Sequence, residues 1–96
     1  MPDLPEVEWR PAAGSDLLTI LDYISRESPN AAQSLKDEID LRVDRLRANP
    51  LSCRSGRVDG TREMVVRPNY VVIYRVSERA VTILRVLHAA QMWPSG

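Results

Sequence analysis

The 96-residue chain is poor in the side chains that most often carry chemistry. It has one cysteine, Cys53, and one histidine, His88. A single cysteine excludes an internal disulfide and a cysteine-based metal cluster. As a nucleophile, Cys53 would need a base, and His88 is the only histidine that could serve. No His/Asp/Glu group has metal-ligand spacing, so neither a metal nor another cofactor is expected. GRVDGTRE contains glycines but lacks the phosphate-loop spacing and the strand before it. There is no G-x-S-x-G elbow, no internal repeat and no low-complexity segment. No apolar run approaches the roughly 20 residues of a membrane helix. The opening MPDLPEVEWR has acidic residues and prolines where a signal peptide has a basic and then an apolar region. The expectation is one soluble, cytoplasmic domain spanning residues 1–96, with no membrane partner. A chain this size buries only about 60–65% of its unfolded surface, which leaves a narrow stability margin.

Lysine is missing from the second half. The chain carries 13 basic and 13 acidic residues. Residues 1–48 hold six basic and ten acidic side chains (6 − 10 = −4), and residues 49–96 hold seven and three (7 − 3 = +4). All seven cations of the second half are arginines: Arg54, Arg57, Arg62, Arg67, Arg75, Arg79 and Arg85. Arginine forks suit bidentate contact with phosphate or carboxylate. Either the two halves neutralise each other through ion pairs, or one face is an anion-binding surface.

Residues 6–10, EVEWR, alternate and read as a short strand. Leu17, Leu21 and Ile24, widened by Leu18 and Ile20, form the stripe of an amphipathic helix with Pro11 in its first turn, ending near Ser28. Ser28 and Pro29 then read as cap and first residue of a second helix. Ala32, Leu35, Ile39, Val43 and Leu46 line one side of it, and Asn49 and Pro50 end it. So short a link makes the helices an antiparallel hairpin. Residues 51–60 read as a loop in which Gly56 and Gly60 serve turn geometry. From Thr61 the period becomes two. TREMVVR, YVVIYRV and AVTILRVLH read as three strands joined by tight turns. Strict alternation places Val71 and Ile73 opposite Val72 and Val76, and Val81 and Ile83 opposite Leu84 and Val86. The expected fold is α+β, β-α-α-β-β-β, an antiparallel sheet with the helical hairpin on one face and the other face partly open.

The element order and the text GRVDGTREMVVRPNYVVIYRVSERAVTILRVLHAAQMWP resemble the RelE/ParE superfamily, the toxins of type II toxin–antitoxin modules. Trp9 to Ala12, Asp16-Leu17, the SPNAA helix start, and Leu46 with Asn49-Pro50 fit the same pattern, so the resemblance runs the whole length. It implies a growth inhibitor held by a cognate antitoxin, whose acidic amphipathic tail folds onto the open sheet face.

Two activities are implied. RelE-like members are ribosome-dependent nucleases that cut mRNA. They make a 2′-hydroxyl attack the adjacent phosphate, which needs a base, an acid and cations. ParE-like members poison DNA gyrase by binding. His88 stands where some nuclease branches carry a histidine, and Arg62 and Arg67 are the cations it would recruit. Against this, Val71 occupies the place of a nuclease arginine, and the net charge is zero. Alternation also puts Arg85 and Leu87 on one face and Val86 and His88 on the other. YVVIYRV and ILRVLH are similar to the ParE-like ending, so gyrase inhibition is the reading favoured. The mRNA endonuclease is the alternative, and a non-toxic antitoxin-binding module a third. Target or antitoxin contact is expected from Arg57, Arg62, Arg67, Tyr70, Arg85, His88 and Trp93. Glu63 is expected to pair with an arginine other than Arg62, and Trp9 to pack on the core.

Overall fold

The computed structural model describes residues 4–89. Their order is β1 (Glu6–Trp9), α1 (Pro11–Ser25), α2 (Pro29–Leu46), β2 (Arg54–Ser55), β3 (Arg62–Val66), β4 (Tyr70–Val76) and β5 (Ala80–His88). The strands form one sheet in the order β1-β5-β4-β3-β2. The expected antiparallel meander is its centre. Two features extend it. β1 pairs with β5 in parallel, because the chain must cross the hairpin before it returns to the sheet. A two-residue strand, β2, forms inside the segment read as loop and pairs with Arg62 and Glu63.

The helix signals act as read. Pro11 and Pro29 open the two helices. The Ser28 hydroxyl accepts the Ala31 N–H at 3.1 Å, satisfying a donor the helix leaves without a partner. Both helices stop a few residues short of the expected ends, at Ser25 and Leu46. Ala13 and Leu17 of α1 join Leu35, Ile39, Val43 and Leu46 of α2 over Met64, Val66, Val72, Tyr74, Val81, Ile83 and Val86. Trp9 packs against this cluster, as expected. Among the described residues no helix is long and apolar enough to cross a membrane.

One placement differs from the expectation. Val81, Ile83 and Val86 all belong to the helix-side core. Strict alternation would have put Val86 on the opposite face from the other two. The cause is a bulge: Ile73 opposes Arg85 and Tyr74 opposes Ile83, so Leu84 has no partner. An extra residue in one strand reverses the alternation beyond it. The separation of Arg85 from His88 survives, because the bulge precedes both. Arg85 lies opposite Ile73 and Leu87 opposite Val71, whereas Val86 and His88 lie opposite Val72 and Tyr70.

Arginines of the second half lace the sheet to the hairpin and to the loop that follows it. The Arg85 guanidinium donates to the Asp16 carboxylate at 2.7 and 2.9 Å, and the Val86 N–H donates to the same carboxylate at 3.0 Å. This hydrogen bonding holds the Arg85 guanidinium above its already high ordinary value. Arg67, at φ 53°, donates to Glu38 at 2.9 Å and Ser34 at 3.1 Å. Arg62 donates to the carbonyls of Leu51 and Cys53 at 3.3 and 2.7 Å. Two of these three join the acidic half to the basic half. Removing one partner of a partly buried pair leaves the other desolvated. Asp16→Ala is therefore expected to lower unfolding free energy by about 2 kcal/mol in urea melts, under the ~3–5 of a fully buried pair. Breaking the exposed Lys36–Asp40 pair on α2 is expected to leave the midpoint unmoved.

Candidate functional site

The face of the sheet turned away from the helices carries a groove of about 260 Å³. Its apolar residues are Val65, Pro68, Val71, Ile73 and Leu87, and its polar ones are Arg54, Arg57, Glu63 and His88. The face is only partly open. Ile73 and Leu87 are buried, while Val65 is 39% exposed.

Glu63 organises the cationic side. It is buried, with its carboxylate accepting from Arg54 at 3.0 and 3.2 Å and from the Arg57 N–H at 3.2 Å. This is the pairing expected for Glu63, and Arg54 on the neighbouring strand supplies it. Loop geometry sets the spacing. The Gly56 N–H donates to the Thr61 carbonyl at 2.7 Å, and a Cβ at Gly56 would collide with the Thr61 hydroxyl. Gly60 has φ +81°, a conformation that glycine adopts without strain. His88 borders the other end, although its register puts its side chain with Val86 and Tyr70, on the face opposite Leu87. It is exposed, and its ring meets Tyr70 edge-on, with centroids 5.6 Å apart and planes at 88°.

Of the residues named from sequence, Arg57 and His88 line this groove. Arg62, Arg67 and Arg85 do not, and each is engaged in the contacts described above. Tyr70 packs against the helix-side core. Trp93 lies outside the described residues. Sequence reasoning did not select Arg54, Val65, Pro68, Val71, Ile73 or Leu87 as site residues. The period-two pattern of β3, β4 and β5 was the available signal, since it puts Val65, Val71 and Leu87 in one row.

The geometry keeps the proposed nuclease groups apart. Arg62 pairs with Tyr74, four residues along β4 from the Tyr70 that pairs with His88. That is about 13 Å at a strand rise of about 3.3 Å per residue. Arg67 is at the His88 end of the sheet, but its guanidinium turns to α2. Cys53 is similarly remote from His88. Its neighbours are Ser52, with Oγ 4.0 Å from Sγ, and Tyr74. The described residues contain no group of three or more metal-ligating side chains.

A helical hairpin on one face of a mixed five-stranded sheet is the fold of the RelE/ParE superfamily toxins. Over residues 7–93 the chain matches the ParE toxin of type II toxin–antitoxin system (parDE) family, and it belongs to that family. It is 40% identical over 89 residues to the putative toxin Y4kP of Sinorhizobium fredii, covering 92% of each chain. It is 37% identical to toxin RelE2 of Caulobacter vibrioides, covering 93% of this chain and all of that one. Its fold superposes with TM-score 0.76 on a chain of the chromosomal ParDE system of P. aeruginosa, at 26% identity, covering 88% of this chain and 96% of the other.

Tyr74 shows how completely the helix-side core is sealed. Its hydroxyl donates to the Pro50 carbonyl at 2.8 Å. Burial first, and then hydrogen bonding with Cys53, push its phenol well above the ordinary value of 10. The folded state therefore favours the neutral phenol, while the unfolded chain ionises at the ordinary value. The stabilisation is fully present below pH 10 and declines as pH rises above it. Tyr74→Phe is expected to lose stability at neutral pH and to flatten this alkaline decline, read as denaturation midpoints against pH.

Proposed function

We propose that this toxin arrests growth by binding DNA gyrase, and that a cognate antitoxin restrains it by seating an acidic tail in the far-face groove. One observation carries the binding reading: the arginines a nuclease would gather around His88 are bonded elsewhere. Arg62 holds two carbonyls, Arg67 holds Glu38 and Ser34, and Arg85 holds Asp16. Phosphate cleavage needs cations aimed at the developing charge. Guanidiniums that hold the fold together are not available for that task. Val71 in the groove, where the resemblance would put a nuclease arginine, agrees. The match to the ParE family favours gyrase as the target, because the resemblance implies gyrase poisoning for ParE-like members, and the ParDE structure supports an antitoxin partner.

The alternative, ribosome-dependent mRNA cleavage, draws on the presence of His88 with Arg54 and Arg57 in one groove. Glu63 already holds Arg54, and His88 lies three residues along and two strands over from the Glu63 position. That is roughly 10 Å in each direction.

Pulse labelling after induction of the toxin alone separates the readings. DNA synthesis is expected to fall first, with mRNA intact. Early loss of translation with DNA synthesis unimpaired would overturn gyrase inhibition, and unaltered growth would favour a non-toxic antitoxin-binding module. His88→Ala is expected to remain toxic, and full loss of toxicity in a folded variant would count for the nuclease. The groove has its own test. Arg57→Glu combined with Val65→Asp should weaken antitoxin binding by about tenfold or more, with an unchanged melting temperature. Unchanged affinity would move the antitoxin site elsewhere.

A further inference from the structure

The sheet ends on one side at β1, and no strand lies beyond it among the described residues. Alternate residues of a strand aim their backbone groups at opposite neighbours. The Glu6 N–H donates to the Arg79 carbonyl at 2.8 Å and the Arg10 N–H to the Ile83 carbonyl at 2.9 Å, so the even positions face β5. The odd positions, Pro5, Val7, Trp9 and Pro11, face outward. Pro5 and Pro11 have no N–H, and the Pro5 carbonyl already accepts from the Arg47 guanidinium at 2.9 Å. The usable edge is therefore short and consists of the backbone groups of Val7 and Trp9.

The side chains divide by the same alternation. Val7 and Trp9 pack on the helix-side core. Glu6 and Glu8 lie opposite Ala80 and Thr82, on the far face, and both are exposed. Arg10 follows in extended conformation, with φ −67° and ψ 148°, and continues their row. It is exposed as well.

A second copy of this chain fits that edge in one register. Two-fold symmetry makes the strands antiparallel and brings the same patch onto itself. Centred on Glu8, Val7 of each copy exchanges both backbone bonds with Trp9 of the other. Glu6 then opposes Arg10 on either side, an attractive pair. In the middle Glu8 opposes Glu8, at the close position without hydrogen bonds, where like charges repel. Other registers lose more. Centred on Val7, Glu6 opposes Glu8 on both sides, and Pro5 offers Trp9 no donor. Centred on Trp9, Pro11 leaves the Val7 carbonyl without its N–H partner.

We infer that β1 is a self-complementary interface for a second copy of this chain, held shut by Glu8. The complementary outer pairs favour a copy over an unrelated strand, and the central repulsion is what opposes pairing. One carboxylate therefore decides whether the sheet stays five-stranded or runs on through a second molecule. The inference does not depend on whether gyrase or mRNA is the toxin's target.

Sedimentation velocity on the full-length chain, over a concentration series, tests this. Wild type is expected to stay monomeric. Glu8→Thr removes the central repulsion and should tighten self-association by about tenfold or more. If that variant does not fold, Glu8→Gln replaces it, with the same direction expected. Glu8→Lys restores like charges at the centre and should remain monomeric. Adding Arg10→Glu to Glu8→Thr removes the outer pairs and should undo the dimer. In the Glu8→Thr dimer, amide hydrogen exchange should slow at Val7 and Trp9. A folded Glu8→Thr chain as monomeric as wild type would overturn the proposal. So would Glu8→Lys dimerising as tightly as Glu8→Thr, slowed exchange at residues 64–66 instead of at β1, or a wild type already paired through Val7 and Trp9.

Discussion

The architecture turns on where the Asp16 carboxylate sits. β1 leaves the edge of β5 after Trp9, and the Arg10 N–H still reaches the Ile83 carbonyl at 2.9 Å. Beyond that point the edge of β5 would present an unanswered N–H at Val86. Asp16, within the second turn of α1, accepts it, and accepts both arms of the Arg85 fork as well. One carboxylate thus stands in for a missing strand and fixes the start of α1 against the sheet. A carboxylate with three donors is far less costly to desolvate than one without partners. With α1 fixed there, the short link at Ser28 carries α2 back along β3, where Arg67 completes the attachment through Glu38 and Ser34, and Arg62 ties in the loop that follows α2. The hairpin is clamped at both sides of the sheet by side chains whose other role could have been recognition.

The bulge at Leu84 solves a different problem. β5 has to deliver Val81 and Ile83 to the core near β1 and Val86 to the core near α1, yet it must also turn Arg85 towards the Asp16 clamp. An uninterrupted period of two cannot do all of this, since Ile83 and Arg85 would share a face. The extra residue changes the phase between them. It also sets the far face, because Arg85 and Leu87 come to lie beside Ile73 and Val71, and the groove is built on that row.

Much of this was legible in the chain. Spacing and caps gave both helices, β-branched alternation gave the three long strands, and the family resemblance gave their arrangement. The phase change at Leu84 was not legible, because a bulge costs one residue of register and leaves no composition signal in ILRVLH. β2 was hidden for a related reason: two residues show no periodicity, and only the pairing of Arg54 with Glu63 marks them. The charge asymmetry was visible, but its meaning was not. Whether an arginine binds a ligand or the protein's own carboxylate depends on distances across 69 residues for Arg85 and Asp16, and 29 for Arg67 and Glu38. Local sequence carries no record of such pairs.

That sorting of arginines connects fold to function. Six arginines among the described residues hold carboxylates or carbonyls, and their loss would be felt first in stability. Of the other six, the side chain of Arg57 lies on the far-face groove and Arg42 and Arg45 lie on a second groove beside β3, while Arg10, Arg75 and Arg79 line neither. A surface cation beside an apolar floor is poorly matched by water alone, and an acidic residue arriving with an apolar neighbour matches it on both counts. Such a layout favours association with a protein over turnover of a phosphodiester, which would require the bound arginines to leave their present partners. Detaching Arg85 would also leave Asp16 desolvated and so weaken the edge of β5. Catalysis built on these residues would therefore act against the fold, whereas a ligand seated in the far-face groove would leave the Arg62, Arg67 and Arg85 contacts in place.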